Sequence, residues 1–266
     1  MSVITADNII TRVRTILQDD TGIRWPEAEL LLWISDAQRE ICLLKPDASA
    51  INDIVKLQAG TTKQTMATLN NGAGALTGNR FLRVIRNIMN TDFSDLEVDA
   101  STSGAGRSIR LVDRRILDSQ FPDWHDPQVT GDATFITTGG NVQHYIFDEI
   151  DPTTFYVFPG IAHEDGSGTA TACYIEIVYS GVPADVAAKT DTIDLPDVYV
   201  NCITDYVCYR AFTKDADYAS NAQRATNHYN AFASAIGVKA RGDDDTSPNE
   251  ASMTGRVNPA RVQQMG

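Results

Sequence analysis

Pro122-Asp123-Trp124-His125-Asp126-Pro127 sets one histidine between two carboxylates, the residue types of a general acid/base pair or a metal site. Either use needs further partners. The other histidines, His144, His163 and His228, are scattered, and none has helical or strand spacing to His125. Two prolines around an aromatic residue fit a fixed loop with Trp124 as its anchor. A small hydrolase built on Asp123, His125 and Asp126 is a distant alternative.

The remaining motifs carry less chemistry. Gly72-Ala73-Gly74-Ala75-Leu76-Thr77-Gly78 has its third glycine one residue too late for a dinucleotide fingerprint, and no Lys-Ser/Thr follows for a P-loop. A flexible loop is the expected reading. His163-Glu164-Asp165-Gly166-Ser167-Gly168 lacks the alternating oxygen ligands and terminal glutamate of a calcium loop, so it reads as a hairpin tip. Asp243-Asp244-Asp245 is a solvated charge run. No nucleophile elbow, zinc-protease helix or Ser/Lys pattern occurs. The expectation is a protein without catalytic residues, cofactor or metal.

Composition narrows the class. The chain has 266 residues, 42% hydrophobic and 21% charged, as in ordinary globular proteins. Lys plus Arg 22 against Asp plus Glu 35 leaves a formal charge of −13, which disfavours a surface that grips DNA or RNA. No apolar run nears the roughly 18 residues needed to span a bilayer, and MSVITADNIITRVRTIL is not a signal peptide. Cys42, Cys173, Cys202 and Cys208 form no CxxC pair and read as reduced, buried thiols in a protein made in the cytoplasm.

The elements that would position these residues fall in three stretches. Ile9, Val13, Ile16 and Leu17 share a helical face; a second helix follows Trp25-Pro26, with Leu30, Ile34, Ala37, Ile41 and Leu44 as its stripe. From residue 51 onward, segments 54–57 and 64–66 flank Gly60 as a hairpin. Arg80 to Met89 reads as a strand, although its period does not decide the type. Another strand is expected at Ser108 to Leu111, with a helical turn or two at Asp113 to Asp118. Val142–Phe147 and Phe155–Phe158 flank an Asp-Pro turn, and Cys173–Tyr179 closes the region as a strand. Helix returns at Leu195, apolar on more than one side and therefore central. The last helix starts near Asp217, buries Ala222, Ala225, Tyr229, Phe232 and Ile236, and is capped by Gly237.

The fold class expected is α+β: a helical bundle from both chain ends, an inserted antiparallel β-rich domain, and an extended C-terminal tail. Residues 1–50 and 190–241 are assigned to the bundle, 51–189 to the insertion and 242–266 to the tail, which is too polar to pack when free.

Four stretches carry a family resemblance: LQDDTGIRWPEAELLLWISDAQREICLLKPDA, VDRRILDSQFPDW, TTFYVFPGI and IEIVYSGVPADV. Together they resemble the head-to-tail adaptor, or head-completion, proteins of tailed bacteriophages over roughly residues 8 to 240. The resemblance implies a structural virion protein of the neck, between capsid and tail. It implies a homo-oligomeric ring, usually of twelve copies, linking the portal protein to tail nozzle or tube proteins. DNA would pass through the lumen during ejection without specific binding, and no membrane is involved. It also implies a C-terminal extension docking on the portal, for which Met253, Arg256, Val257, Asn258, Pro259, Arg261, Val262 and Met265 are the expected contacts. A tail-tube or stopper subunit of the neck is the alternative role.

Overall fold

The computed structural model describes residues 4–89, 104–125, 135–136, 141–148, 150–161, 173–215 and 219–246. The chain divides into two compact units, Met1–Lys45 with Pro183–Gly266, and Pro46–Val182.

In the first unit the N- and C-terminal helices pack together. Helix α1 (Ala6–Leu17) buries Ala6, Ile9, Ile10, Val13 and Leu17, a stripe of one helical face that excludes the expected Ile16. It ends on Gln18 in the left-handed region (φ 54°). The Asp19 carboxylate then accepts the N–H groups of Ile23, Arg24 and Trp25 at 3.1, 3.1 and 3.0 Å, across a turn in which Gly22 takes φ 66°. Those bonds, Trp25 first, hold the Asp19 carboxyl below its usual range. Stability from Asp19 is therefore present above the ordinary carboxylate pKa and is lost as pH falls through the depressed value. Asp19→Ala should lower the thermal midpoint more than Asp20→Ala at pH 7, with the gap closing in acid.

Helix α2 (Glu27–Leu44) is buried on most sides, although Leu44, expected in its stripe, is exposed. Its polar residues hold the chain that returns from the second unit. Val186 N–H donates to Ser35 Oγ at 3.0 Å, Asp194 N–H donates to Gln38 Oε1 at 2.8 Å, and Arg39 pairs with Asp185. Helix α4 (Val200–Lys214), entered by a 3-10 turn at Asp197–Tyr199, buries residues around its circumference as expected.

Helix α5 (Ala219–Thr246) departs from the sequence reading twice. Ala222 and Tyr229 are exposed; Ala225, Phe232 and Ile236 make the fully buried seam among its described side chains. The helix also continues through Gly237, which does not cap it. One interior glycine costs about 1 kcal/mol, a penalty the helix-favouring neighbours on both sides offset. Arg241 Nε adds a bond to the Gly237 carbonyl at 3.2 Å. Residues 242–246, read as the start of the tail, are thus helical.

The second unit contains two sheets. Strands β1 (Ala50–Lys56), β9 (Tyr174–Gly181), β3 (Gly78–Met89) and β4 (Gly104–Ser108) form one antiparallel sheet in the order β1-β9-β3-β4. Strands β2 (Thr61–Thr65), β8 (Thr154–Ile161), β7 (His144–Phe147) and β5 (Arg110–Leu111) form the other in the order β2-β8-β7-β5, with β6 (Phe135–Ile136) beside β8. The two-residue pairings β5–β7 and β6–β8 are parallel exceptions. The β7–β8 hairpin forms as expected, Phe147 opposite Phe155.

Two local expectations do not hold. Segments 54–57 and 64–66 form no hairpin, because β1 pairs with β9 and β2 with β8. The link between them passes from one sheet to the other, held by buried Gln64, which accepts from Gln58 N–H (2.8 Å) and donates to the Gln58 carbonyl (3.0 Å). The expected strand at 108–111 likewise divides at Ile109, one half pairing with β3 and the other with β7.

Inward residues of both sheets meet in one core: Val55, Phe81, Val84, Ile175, Ile177 and Tyr179 from the first, Tyr145, Phe155, Val157 and Ile161 from the second. The outer face of the second sheet is closed by α3 (Arg114–Gln120), where Leu117 and Trp124 pack on Ile146 and Phe158. Asp113 caps this helix by accepting Arg115 N–H at 2.9 Å.

Candidate functional sites

Strand β3 carries the sequence Arg80-Phe81-Leu82-Arg83-Val84-Ile85-Arg86-Asn87, a period of three. A flat strand alternates faces every residue and would scatter these side chains. Three register shifts, between Gly78 and Arg80, Phe81 and Arg83, and Val84 and Arg86, convert the period of three into alternation. Phe81 and Val84 then stand opposite Tyr179 and Ile177 and enter the core. Arg80, Arg83 and Arg86 stand opposite Ser180, Val178 and Glu176, at successive outward positions of β9.

Among the described residues, only the last of these three meets a carboxylate. Arg86 Nε donates to Glu176 Oε2 at 2.5 Å, and Asn52 Nδ2 of β1 donates to Glu176 Oε1 at 2.7 Å. Burial pushes the Glu176 carboxyl upward, but the Arg86 and Asn52 bonds and the charges of Arg86 and Arg83 outweigh it and hold it low. The sign follows from that depression: this stability is present above about pH 4.3, the ordinary glutamate value, and lost as pH falls through the lowered one. Glu176→Gln should cost about 1–3 kcal/mol at pH 7, with the deficit shrinking below about pH 4 in urea unfolding. A deficit unchanged down to pH 3 would count against the charged pair as its source.

The His125 loop is built as an anchor. Trp124 is fully buried and its Nε1 donates to Asp118 Oδ1 at 2.9 Å. His125 lies against the Trp124 ring and edge-on to Tyr156, with Nδ1 3.1 Å from Thr62 Oγ1 and Nε2 3.4 Å from the Arg114 guanidinium. Burial first, then the Arg114 charge, pushes the imidazole pKa down, so the ring is neutral at pH 7. Asp123 is not among the hydrogen-bond or ion-pair partners of His125, and Asp126 lies outside the described residues. Structure therefore brings His125 together with Trp124, Thr62, Tyr156 and Arg114, a packed corner of the sheet. His125→Ala should lower stability by about 1–2 kcal/mol and leave assembly with partners intact.

The glycine-rich loop is also accounted for by local bonds. Asn70 Oδ1 accepts Gly72 N–H at 2.6 Å, and Asn71 Oδ1 accepts Ala73 and Gly74 N–H at 3.1 and 3.2 Å. Those three N–H groups, which a bound phosphate would call on, already have acceptors. Segment 163–168 and all eight expected portal contacts, Met253 to Met265, lie outside the described residues. Cys42, Cys173, Cys202 and Cys208 are buried and in no disulfide, and burial pushes the thiols of Cys173 and Cys208 up to about 12. Among the described residues no group of three His, Cys, Asp or Glu is placed to hold a metal, and no helix is long and apolar enough to cross a membrane.

The groups with unusual chemistry thus hold elements in place or line a sheet face, the organisation of a structural subunit. A family model, described as SU10 adaptor protein, matches residues 4–257, and the chain belongs to that family of phage head–tail adaptors. No curated protein matches the chain. The stretches that carried the resemblance are now placed: the Asp19 turn between α1 and α2, helix α3 with its cap and Trp124, strand β8, and β9 with its exit. As a phage adaptor, the chain is a structural protein that binds other virion components.

Proposed function

We propose that the chain assembles as a ring in the virion neck, twelve copies in the simplest case, joining the portal to the tail and enclosing a channel through which DNA leaves. The observation that carries this reading is the family match across residues 4–257. Exposed apolar side chains support it: Ile23, Leu32 and Leu43 of the helical unit are 84, 66 and 74% exposed, apolar area of the kind that subunit contacts cover. The charge of −13 per copy supports a lumen that offers DNA few phosphate ligands.

In this reading the terminal segment docks on the portal, with Met253, Arg256, Val257, Asn258, Pro259, Arg261, Val262 and Met265 making the contact. Electron microscopy of the purified chain mixed with portal rings tests it. A ring stacked on the portal is the expected image, and deletion of residues 247–266 should abolish stacking while the helical signal of the subunit persists. A tube that grows without portal, or normal stacking by the truncated chain, would overturn the respective part.

A further inference from the structure

Helix α2 carries two large apolar side chains that its own copy leaves largely uncovered. Leu32 and Leu43 are exposed, and so is Ala28 one turn before Leu32. Eleven residues separate the leucines, which sets them about 20° apart in azimuth and about 16.5 Å apart along the axis. The same rotation places them opposite Leu30, Ile34 and Ile41, the buried stripe that faces the interior of the unit. Helices α2 and α5 each pack on α4 and hardly on each other. The leucine face therefore points away from α5 of its own chain.

Helix α5 has the converse surface. Residues 225–238 contain no Asp, Glu, Lys or Arg in a chain that is 21% charged, yet Thr226, Asn230, Ala233 and Ser234 among them are exposed. A helix face left to water usually carries charges as well as neutral polar groups. One edge of α5 is also short of side chain. Ala222, Thr226, Ala233, Gly237 and Ala240 recur at steps of four, seven, four and three, so they lie along one face. A Cβ added at Gly237 would meet nothing within 4 Å, and its φ is not in the left-handed region. Neither packing nor backbone conformation in this copy calls for glycine there, and alanine would serve the helix better. A second helix arriving from outside would call for it, because small side chains let two helix axes come close.

We propose that the outward face of α2, with Leu32 and Leu43, packs on the α5 edge that carries Thr226, Ala233 and Gly237 in a second copy of this chain. The inference rests on the reading of the chain as a ring-forming subunit. The two faces match in spacing: Thr226 to Gly237 is eleven residues, as is Leu32 to Leu43, so both leucines can enter at small positions together. Large side chains set against small ones is the condition for interdigitation. The faces also match in charge. The α5 stretch brings no charged group, and Arg39, on the leucine side of α2, is already paired with Asp185 and Asp36 of its own copy. Docking therefore strands no lone charge on either side. Each copy offers one face and receives on a different one, a head-to-tail contact that closes into a ring and not into a two-fold dimer. A foreign partner would have to supply one half of this match anew; a second copy already holds it.

Sedimentation velocity on the full-length chain tests the pairing. L32E/L43E spoils the leucine face and A233E/G237E spoils the α5 edge, each by setting carboxylates against an uncharged surface. The leucines and Ala233 are exposed, and glutamate suits a helix better than glycine, so both variants should keep the wild-type helical signal and thermal midpoint. Each alone should self-associate at least about tenfold more weakly, since a carboxylate is costly to bury unpaired. An equimolar mixture should give a 1:1 pair and nothing larger, because one intact α5 edge and one intact leucine face remain. Formation of that pair also shows that both variants are folded. Unchanged association in either variant overturns the inference, as does a mixture that stays monomeric or grows beyond the pair. Intact self-association with lost stacking on portal rings overturns it in favour of a portal contact for the altered face. A wild-type chain that stays monomeric to its solubility limit overturns it too. The ring reading is judged separately: rings of L32E/L43E stacking normally on portal would remove this contact and leave that reading standing, whereas wild-type chains forming no ring on portal would remove the reading itself.

Discussion

Replacing Phe81 with alanine should lower the unfolding free energy by about 3–5 kcal/mol, the usual cost of emptying a phenylalanine site in a packed core. Phe81 is fully buried between the two sheets of the second unit. Its ring stacks on Phe155 at 4.5 Å and meets Phe147 and Tyr145 at 5.2 and 5.9 Å, so one truncation strips contacts from three rings of the opposite sheet. Urea unfolding followed by near-ultraviolet circular dichroism would read the loss. Phe81→Leu should recover part of it, because the leucine keeps most of the apolar volume. A cost under about 1 kcal/mol, the scale of surface changes, would mean that the two inner faces are not packed through this ring.

Asn87 should be nearly as sensitive for a different reason. Its side chain is buried, and its Nδ2 donates to the carbonyls of Arg107 and Val142 at 2.9 and 2.8 Å while Oδ1 accepts Val142 N–H at 2.8 Å. One residue of the first sheet thereby ties down the segment that leads into β7 of the second. The β4 backbone comes so close here that a Cβ on Gly106 would lie 2.3 Å from the Asn87 carbonyl oxygen. Asn87→Ala removes three hydrogen bonds to backbone groups, two of them buried, at about 1 kcal/mol or more each, so a loss of about 3 kcal/mol is expected. Asn87→Asp separates bonding from volume. It keeps the shape but turns a donor toward two carbonyls into an acceptor, and should be at least as damaging at pH 7. Near-wild-type stability in Asn87→Asp would sink the bonding argument.

Much of the fold was legible because its signals are local. The Asp-Pro turn joined β7 to β8, Pro26 and Pro196 marked the starts of helical segments, and the two terminal helical stretches were visible as periodic apolar stripes. What was not legible depends on partners far away in the chain. Residues 54–57 and 64–66 look like a hairpin because a glycine separates them. Which ladder each joins is decided by β9 and β8, long apolar strands about a hundred residues later. Tyr229 fits the stripe of α5, yet its ring lies beside Tyr209 at the margin of the α4–α5 contact and stays exposed. The arginine row was in plain sight as a triplet period, but a period of three has no meaning in a regular strand. It becomes a surface only once the bulges are known. Gln38, Gln64 and Asn87 gave no signal at all, since a buried amide that bonds the backbone looks in sequence like any exposed one.

The run of α5 past Ile236 also has a geometric consequence. From Ile236 to Thr246 the helix advances ten residues, about 15 Å. Whatever follows therefore leaves from the tip of a rod, at a set height and a set azimuth. Removing one residue from the rod would swing the exit by about 100°. Removing seven would restore the azimuth to within about 20° while drawing the exit in by about 10 Å. Reach and direction can thus vary independently along this stretch, and a partner that captures the terminal segment would sense the phase of the helix as well as its length.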